Sequence, residues 1–266
     1  MLLTVDVGNS HTTLGVFAGD DLRCELRLST RAGWTRDEIA ADLRQALILC
    51  DLNFSDLGDA IVASVVPPAL PPLVEALRRY ADLDPLVVGP GVKTGMPIRY
   101  DPPQDVGADR IVTAVAAHAR HQQSAEEGLI VVDFGTATTF DVVSPRPEYL
   151  GGAIAPGIGI SADALFTRAA KLPRVDAAKP ATVIGRNTVA AIQSGLVYGY
   201  VGLVEGIIAR MKAELDWPSR VVATGGFAPL VARESTAIDV VDDTLVLEGL
   251  RLIYARNRKA GIVGVA

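Results

Sequence analysis

The 266-residue chain is poor in several things, and each shortage excludes a class of protein. It has no excess of basic charge: 25 Lys and Arg stand against 31 Asp and Glu, a formal charge of −6. That balance excludes a nucleic-acid binder working through a broad basic surface. Two cysteines, Cys24 and Cys50, are too few for a disulfide framework. Neither lies in a Cys-x-x-Cys pair or beside a histidine cluster, so both are expected as buried apolar residues in a reducing compartment. MLLTVDVGNS meets an acid at residue 6 and lacks the basic and long apolar regions of a signal peptide. The most apolar stretch, about 195–209, is interrupted by Gly199, Glu205 and Gly206 and is expected to be too short to span a bilayer. A cytoplasmic protein with no membrane partner is the expectation. Low-complexity segments and flexible linkers are also missing, and so are GxxxxGK[ST] and a GxGxxG that follows a strand and opens a helix. GIGISADA (157–164) does not fit the dinucleotide fingerprint.

Aliphatic residues are plentiful. The chain is 49% hydrophobic with only 5% aromatic, and 21% charged, which excludes disorder and is enough for a sizeable core. Short β-branched runs alternate with helical spacing. Leu2–Val7 and Thr12–Phe17 read as a hairpin joined through GNS, and Thr35 with Glu38 as a capping box opening a helix with Ile39, Leu43, Leu47 and Cys50 inward. Strands are expected at Ala60–Val66, Pro85–Val88, Leu129–Asp133, Thr138–Val143 and Arg220–Thr224. Helices are expected at Leu70–Tyr80, Asp109–His121, 187–214 with a break near Gly206, and Thr244–Arg256. The pattern is α/β, with largely buried mixed sheets.

Internal similarity is the most informative feature. LLTVDVGNSHTT (2–13) aligns without gaps on LIVVDFGTATTF (129–140), so Asp6 meets Asp133 and Gly8 meets Gly135. A weaker match pairs IVASVVPPAL (61–70) with VVATGGFAPL (221–230). Two related halves follow, 1–121 and 122–266, with the boundary near HQQSAEEG.

Each half carries a strand ending in Asp-x-Gly, a small polar turn and a second strand. Glycine lets the backbone approach a ligand, and successive N–H groups in such a turn can point at phosphate oxygens. Asn9, Ser10, Thr12, Thr13, Thr136, Thr138 and Thr139 add short donors. Asp6 and Asp133 cannot favourably face phosphate directly, so they imply a cation between. One such motif alone is an ordinary β-turn of good turn formers; two at matching places favour phosphate binding. VVATGG (221–226) ends a further strand in a glycine pair that could lie against a base or ribose, or could be only a tight connection. In RYDPPQDVGADR (99–110), Asp109 is either a first-turn carboxylate of the next helix or a general base for a substrate hydroxyl, with Arg110 as a charge clamp.

Two Asp-x-Gly hairpins followed by a strand-Thr-Gly-Gly resemble the actin-like ATPase and sugar-kinase superfamily. That resemblance implies a duplicated actin-like (ribonuclease H-like) fold, two mixed-sheet halves with flanking helices and a nucleotide cleft between them. DVGNSHTTLGVF, DPPQDVGADR, DFGTATTFDVV, YLGGAIAPG, RNTVAAIQSGL and ATGGF occur in the order seen in type III pantothenate kinases, which the chain resembles from residue 2 to about 255. The resemblance implies ATP-dependent phosphorylation of pantothenate to 4′-phosphopantothenate, the first step toward coenzyme A. It also implies a homodimer, Mg²⁺ with ATP, and K⁺ or NH₄⁺ as a monovalent cation. By position it implies that Asp6, Val7, Gly8, Asn9, Ser10, His11, Thr12 and Thr13 wrap the ATP phosphates, with Asp6 near Mg²⁺ directly or through water. Thr136 would be a further ATP contact and Asp133 the monovalent-cation ligand. Tyr100, Gly107, Ala108, Asp109, Arg110 and Thr188 would contact pantothenate, Asp109 being the proton acceptor. Ser10 stands where the family more often has Thr. The alternatives are a catalytically silent regulator on this fold, or a kinase for another small hydroxy acid or sugar.

Other residues carry plainer expectations. His118 and His121 are expected on a surface helix face without a third metal ligand, and Trp34 and Trp217 in packing or at the surface. Gly195, Gly199, Gly202 and Gly206, with Leu196, Leu203 and Ile207, suggest a close helix–helix contact at a dimer interface.

Overall fold

A computed structural model describes residues 1–31 and 33–259. The chain divides into two compact units, one of residues 1–116 with the closing helix from Leu245, the other of residues 117–244.

In the first unit, β1 (Leu2–Val7), β2 (His11–Ala18), β3 (Asp21–Ser29), β4 (Asp59–Ser64) and β5 (Leu86–Val87) form a sheet in the order β3-β2-β1-β4-β5. β1 is antiparallel to β2 and parallel to β4. Helices α1 (Arg36–Ile48) and α2 (Leu70–Ala81) cover one face, burying Ile39, Leu43, Leu47, Leu73 and Leu77 among Leu3, Val5, Leu14 and Val16. Each such side chain contributes roughly 1.5–3 kcal/mol when fully buried. The capping box at α1 is present: Glu38 N–H donates to Thr35 Oγ1 at 3.3 Å, and Thr35 N–H to Glu38 Oε2 at 3.0 Å. Helix α3 (Ala108–His121) starts in this unit, and α7 (Leu245–Lys259) packs on β1, β2 and β4. Two glycines permit that packing: a side chain at Gly15 would meet Leu247 at 3.0 Å, and one at Gly249 would enter the backbone at Val112.

The second unit repeats the topology. β6 (Gly128–Phe134), β7 (Ala137–Val143), β8 (Tyr149–Pro156), β9 (Ser219–Thr224) and β10 (Val240–Val241) lie in the order β10-β9-β6-β7-β8. β6 is antiparallel to β7 and parallel to β9, as β1 is to β2 and β4. Helices α4 (Ile158–Arg168), α5 (Thr188–Glu214) and α6 (Ala228–Ala232) contribute Ile158, Tyr200, Val201, Val204, Ile208 and Val231 to a core with Ile130, Val132, Phe134 and Phe140.

Several expectations are corrected. The closing helix belongs to the first unit, not to a second half of 122–266, because its apolar face is spent on β1, β2 and β4; residues 260–266 of that half lie outside the described residues. The duplication needs a gap. Asp6 pairs with Thr13 but Asp133 with Thr139, so the first hairpin loop is one residue longer. The weaker match is also displaced by one: Asp6 pairs with Ala63 and Asp133 with Thr224, which makes Ala63 and Thr224 equivalent. A one-residue slip would turn a strand's side chains to the opposite face.

Cys24 and Cys50 are joined by a disulfide. β3 turns Cys24 inward toward the end of α1, bringing the Cα atoms to 6.1 Å, within bonding reach despite the absence of a sequence motif. Helix α5 runs unbroken through Gly206, since one glycine costs only about 1 kcal/mol and the buried face offsets it. Its 27 residues are long and apolar enough to cross a membrane by length and composition, contrary to the estimate from residues 195–209; 39% of its most apolar window is buried. That buried stripe lies against the second sheet, as in a core helix. His118 and His121 are half-buried, and His121 Nε2 lies 2.8 Å from Asp242 Oδ2. Trp34 is 8% exposed, in agreement with a packing role.

Candidate functional site

In the first unit the expected residues gather at the carboxyl ends of the parallel strands β1 and β4, where ligands bind in open α/β sheets. Asp6 is half-buried near the end of β1, flanked by Thr13 on β2 and Ala63 on β4. The turn that follows is closed by Gly8 N–H donating to His11 O at 3.0 Å. A Cβ at Gly8 would lie 3.0 Å from that oxygen, which explains the glycine. Asn9, Ser10 and His11 are exposed, while Val7, Thr12 and Thr13 are buried. Thr12 Oγ1 is 2.9 Å from Thr30 Oγ1, so this pair ties β2 to the residue that follows β3.

The ladder continues past the strands, with Val65 N–H donating to Val7 O at 3.1 Å. Gly107 sits beside Val65, since a Cβ on it would meet Val65 Cγ1 at 3.5 Å. The same Cβ would meet Asp109 Oδ1 at 2.5 Å, so glycine in GADR leaves room for the carboxylate. Asp109 lies in the first turn of α3, where the helix dipole favours its charge. Its Oδ1 accepts Arg110 N–H at 2.8 Å. Burial is nevertheless the largest influence and pushes the Asp109 carboxyl above the usual range, against the lowering by the Arg110 N–H and charge. Arg110 is 8% exposed. Tyr100 is half-buried in the preceding loop.

In the second unit three separate stretches close on one hairpin. Asp133 stands half-buried on β6 between Thr139 and Thr224, its ladder partners on either side. Gly225 has φ +90°, and a side chain there would strike Asp133 Oδ1 and come within 2.7 Å of Phe134 O. Gly157, from YLGGAIAPG, is pressed against the carbonyls of Gly135 and Thr136, the former 2.7 Å from where its Cβ would be. Thr136 is exposed at the turn. Thr138 is fully buried, and Thr139 Oγ1 donates to Asp141 Oδ2 at 3.2 Å. Thr188 is exposed at the start of α5, next to Asn187, whose Oδ1 accepts Ala190 N–H at 2.8 Å. The carboxylate and hydroxyl donors around Asp133 are all hard oxygens, which suit K⁺ or another hard cation; Asp6 offers one carboxylate, the usual protein share of a phosphate-bound Mg²⁺. Among the described residues there is no group of three or more His, Cys, Asp or Glu side chains that could hold a metal ion.

The structure of Streptomyces griseus ROK family glucokinase with glucose and AMPPNP shares the fold, at TM-score 0.50 and 13% identity over 97% of this chain and 99% of that one. Curated relatives are much nearer. The type III pantothenate kinase of Myxococcus xanthus is 56% identical over 257 residues, covering 97% of this chain and 99% of its own. That of Syntrophotalea carbinolica is 54% identical over 258 residues, covering 97% and 100%. The family model for type III pantothenate kinase matches residues 2–210. The chain belongs to the type III pantothenate kinase family.

Proposed function

We propose that this protein transfers the γ-phosphoryl group of ATP to the terminal hydroxyl of pantothenate, giving ADP and 4′-phosphopantothenate. The observation that carries the reading is Asp109: a half-buried carboxylate at a helix start, its proton affinity raised, and its position preserved by the glycine beside it. The hydroxyl oxygen attacks the γ-phosphorus, the bond to the β,γ-bridging oxygen breaks, and Asp109 takes the hydroxyl proton. Gly107, Ala108, Arg110 and Tyr100 orient pantothenate. Backbone N–H groups of Asp6–Thr13 hold the phosphates. Asp6 would hold Mg²⁺ and Asp133 K⁺ or NH₄⁺, which would supply neutralisation of phosphate charge.

The second unit also presents an apolar surface. Ile154 (65% exposed), Ile184 (81%) and Val183 (62%) are exposed, as are Ile160, Phe166 and Val189. On α5, Cβ positions at Gly195, Gly199 and Gly202 meet open space. These exposed apolar side chains and small residues support a homodimer, since small residues permit close approach and exposed apolar surface marks protein contacts. A cytoplasmic setting accords with the substrates.

A substrate panel tests the activity. Pantothenate, glucose and glycerate are offered separately with ATP and Mg²⁺; phosphorylation of pantothenate alone is expected, and phosphorylation of another member instead would overturn the reading.

A further inference from the structure

Asp141 has no counterpart in the first unit. Thr13 and Thr139 are equivalent, each opposite the Asp-x-Gly acid, and two residues further along the strand the first unit has Gly15 where the second has Asp141. The duplicated fold therefore does not require an acid here. Asp141 is nonetheless 1% exposed on β7, a costly place for a carboxylate unless its hydrogen bonds are made. Tyr149, fully buried on β8, donates its hydroxyl to Asp141 Oδ1 at 2.5 Å. Thr139 donates to Asp141 Oδ2 at 3.2 Å.

The direction of that second bond matters. A threonine hydroxyl has one proton and two lone pairs, and an ionised carboxylate only accepts. With its proton spent on Asp141, Thr139 can offer only lone pairs to anything else. Thr139 is the ladder partner of Asp133, so the two side chains stand on one face about 5 Å apart at Cβ. The halves differ again on the other side: Asp133 is flanked by Thr139 and Thr224, whereas Asp6 is flanked by Thr13 and Ala63.

We propose that Thr139 supplies a hydroxyl oxygen to the monovalent cation at Asp133, and that Asp141, held by Tyr149, is the positioning residue that turns that oxygen's lone pairs toward the ion. This rests on the assignment of the cation to Asp133. Outer partners of this kind fix the orientation of a metal ligand. Asn at 141 would be isosteric but would reverse the arrangement: with its oxygen accepting from Tyr149, its amide would donate to Thr139 and send the hydroxyl proton outward.

The test reads cation binding through thermal stability, apart from turnover. The melting temperature of the full-length protein with ATP and Mg²⁺ is followed against KCl, with choline chloride holding ionic strength constant. Thr139→Val and Asp141→Asn are each expected to raise the half-saturating K⁺ concentration roughly tenfold. Thr139→Ser, which keeps the hydroxyl, is expected to restore the wild-type midpoint. A K⁺-dependent shift that Asp133→Asn abolishes but Thr139→Val leaves at the wild-type midpoint overturns this inference alone. Absence of any shift in the wild type overturns the Asp133 assignment and this inference with it. Should Asp141→Asn fail to fold, the Val and Ser variants at 139 still decide it, a Ser variant as impaired as Val being a contradiction.

Discussion

Asp109 accepts the backbone N–H of Arg110 through Oδ1 at 2.8 Å, so the helix start that buries the acid also orients it. Asp109→Asn keeps the shape and removes the base. Turnover is expected to fall by about 10²–10⁴-fold with the circular dichroism unchanged, the span attributed to a general base. Wild-type turnover in the Asn variant would remove Asp109 from the mechanism.

The raised proton affinity of Asp109 has a sign that pH can check. A base must be ionised, so turnover should fall on acidification through a pKa above the ordinary ~3.9 of aspartate. For stability the folded state binds this proton more tightly than the unfolded chain. The carboxyl therefore costs nothing below the unfolded pKa, and its cost grows as pH rises through the folded one. Asp109→Asn should consequently melt higher than wild type at pH 7, with the gap closing toward pH 4. A gap that widens on acidification would contradict the burial argument.

Gly225 is expected to tolerate no side chain. Its φ of +90° and the nearness of Phe134 O predict that Gly225→Ala costs about 1–3 kcal/mol and weakens ATP binding. Gly159→Ala in the same unit, where a Cβ meets nothing within 4 Å, serves as control. Equal melting temperatures for the two variants would refute the close-packing account.

Much of this arrangement was legible in the sequence, and the rest was hidden for physical reasons. Asp6 and Asp133 announced the duplication because a strand ending in Asp-x-Gly tolerates little variation in its turn. The gap after Gly8 was hidden because adjacent threonines, Thr12 and Thr13, satisfy either alignment. β3 was legible but not anticipated: Leu22, Cys24, Leu26 and Leu28 alternate strictly with the exposed Arg23, Glu25 and Arg27, the period-2 signal of a half-buried edge strand. β8 was masked by its glycines, of which Gly152 is required because a Cβ would enter the backbone at Phe140. Asp141 was in plain view as an acid inside the apolar run FDVV, a signal of a buried functional polar group, yet its partner Tyr149 is visible only once β7 and β8 pair. The membership of α7 in the first unit depends on contacts with strands more than 180 residues earlier, which no local pattern encodes.

The disulfide gives a stability prediction. Cys24 and Cys50 are 26 residues apart, and closing a loop of that size stabilises by roughly 3 kcal/mol in the chain-entropy account. Dithiothreitol should lower the melting temperature of the oxidised protein and leave a Cys24→Ala/Cys50→Ala double variant unmoved. An oxidised protein insensitive to reductant would contradict it.

Ile154→Asp and Gly199→Leu are each expected to shift sedimentation from dimer to monomer, one by placing charge and the other by placing bulk on the apolar surface. Both variants remaining dimeric would move the interface elsewhere.

The central claim is tested most directly by pantothenate-dependent ADP release from the purified protein with ATP and Mg²⁺, measured in KCl and again in choline chloride. The expected result is stoichiometric ADP and 4′-phosphopantothenate in KCl and little of either in choline chloride. No phosphorylation of pantothenate in any salt would contradict the account and favour a catalytically silent regulator.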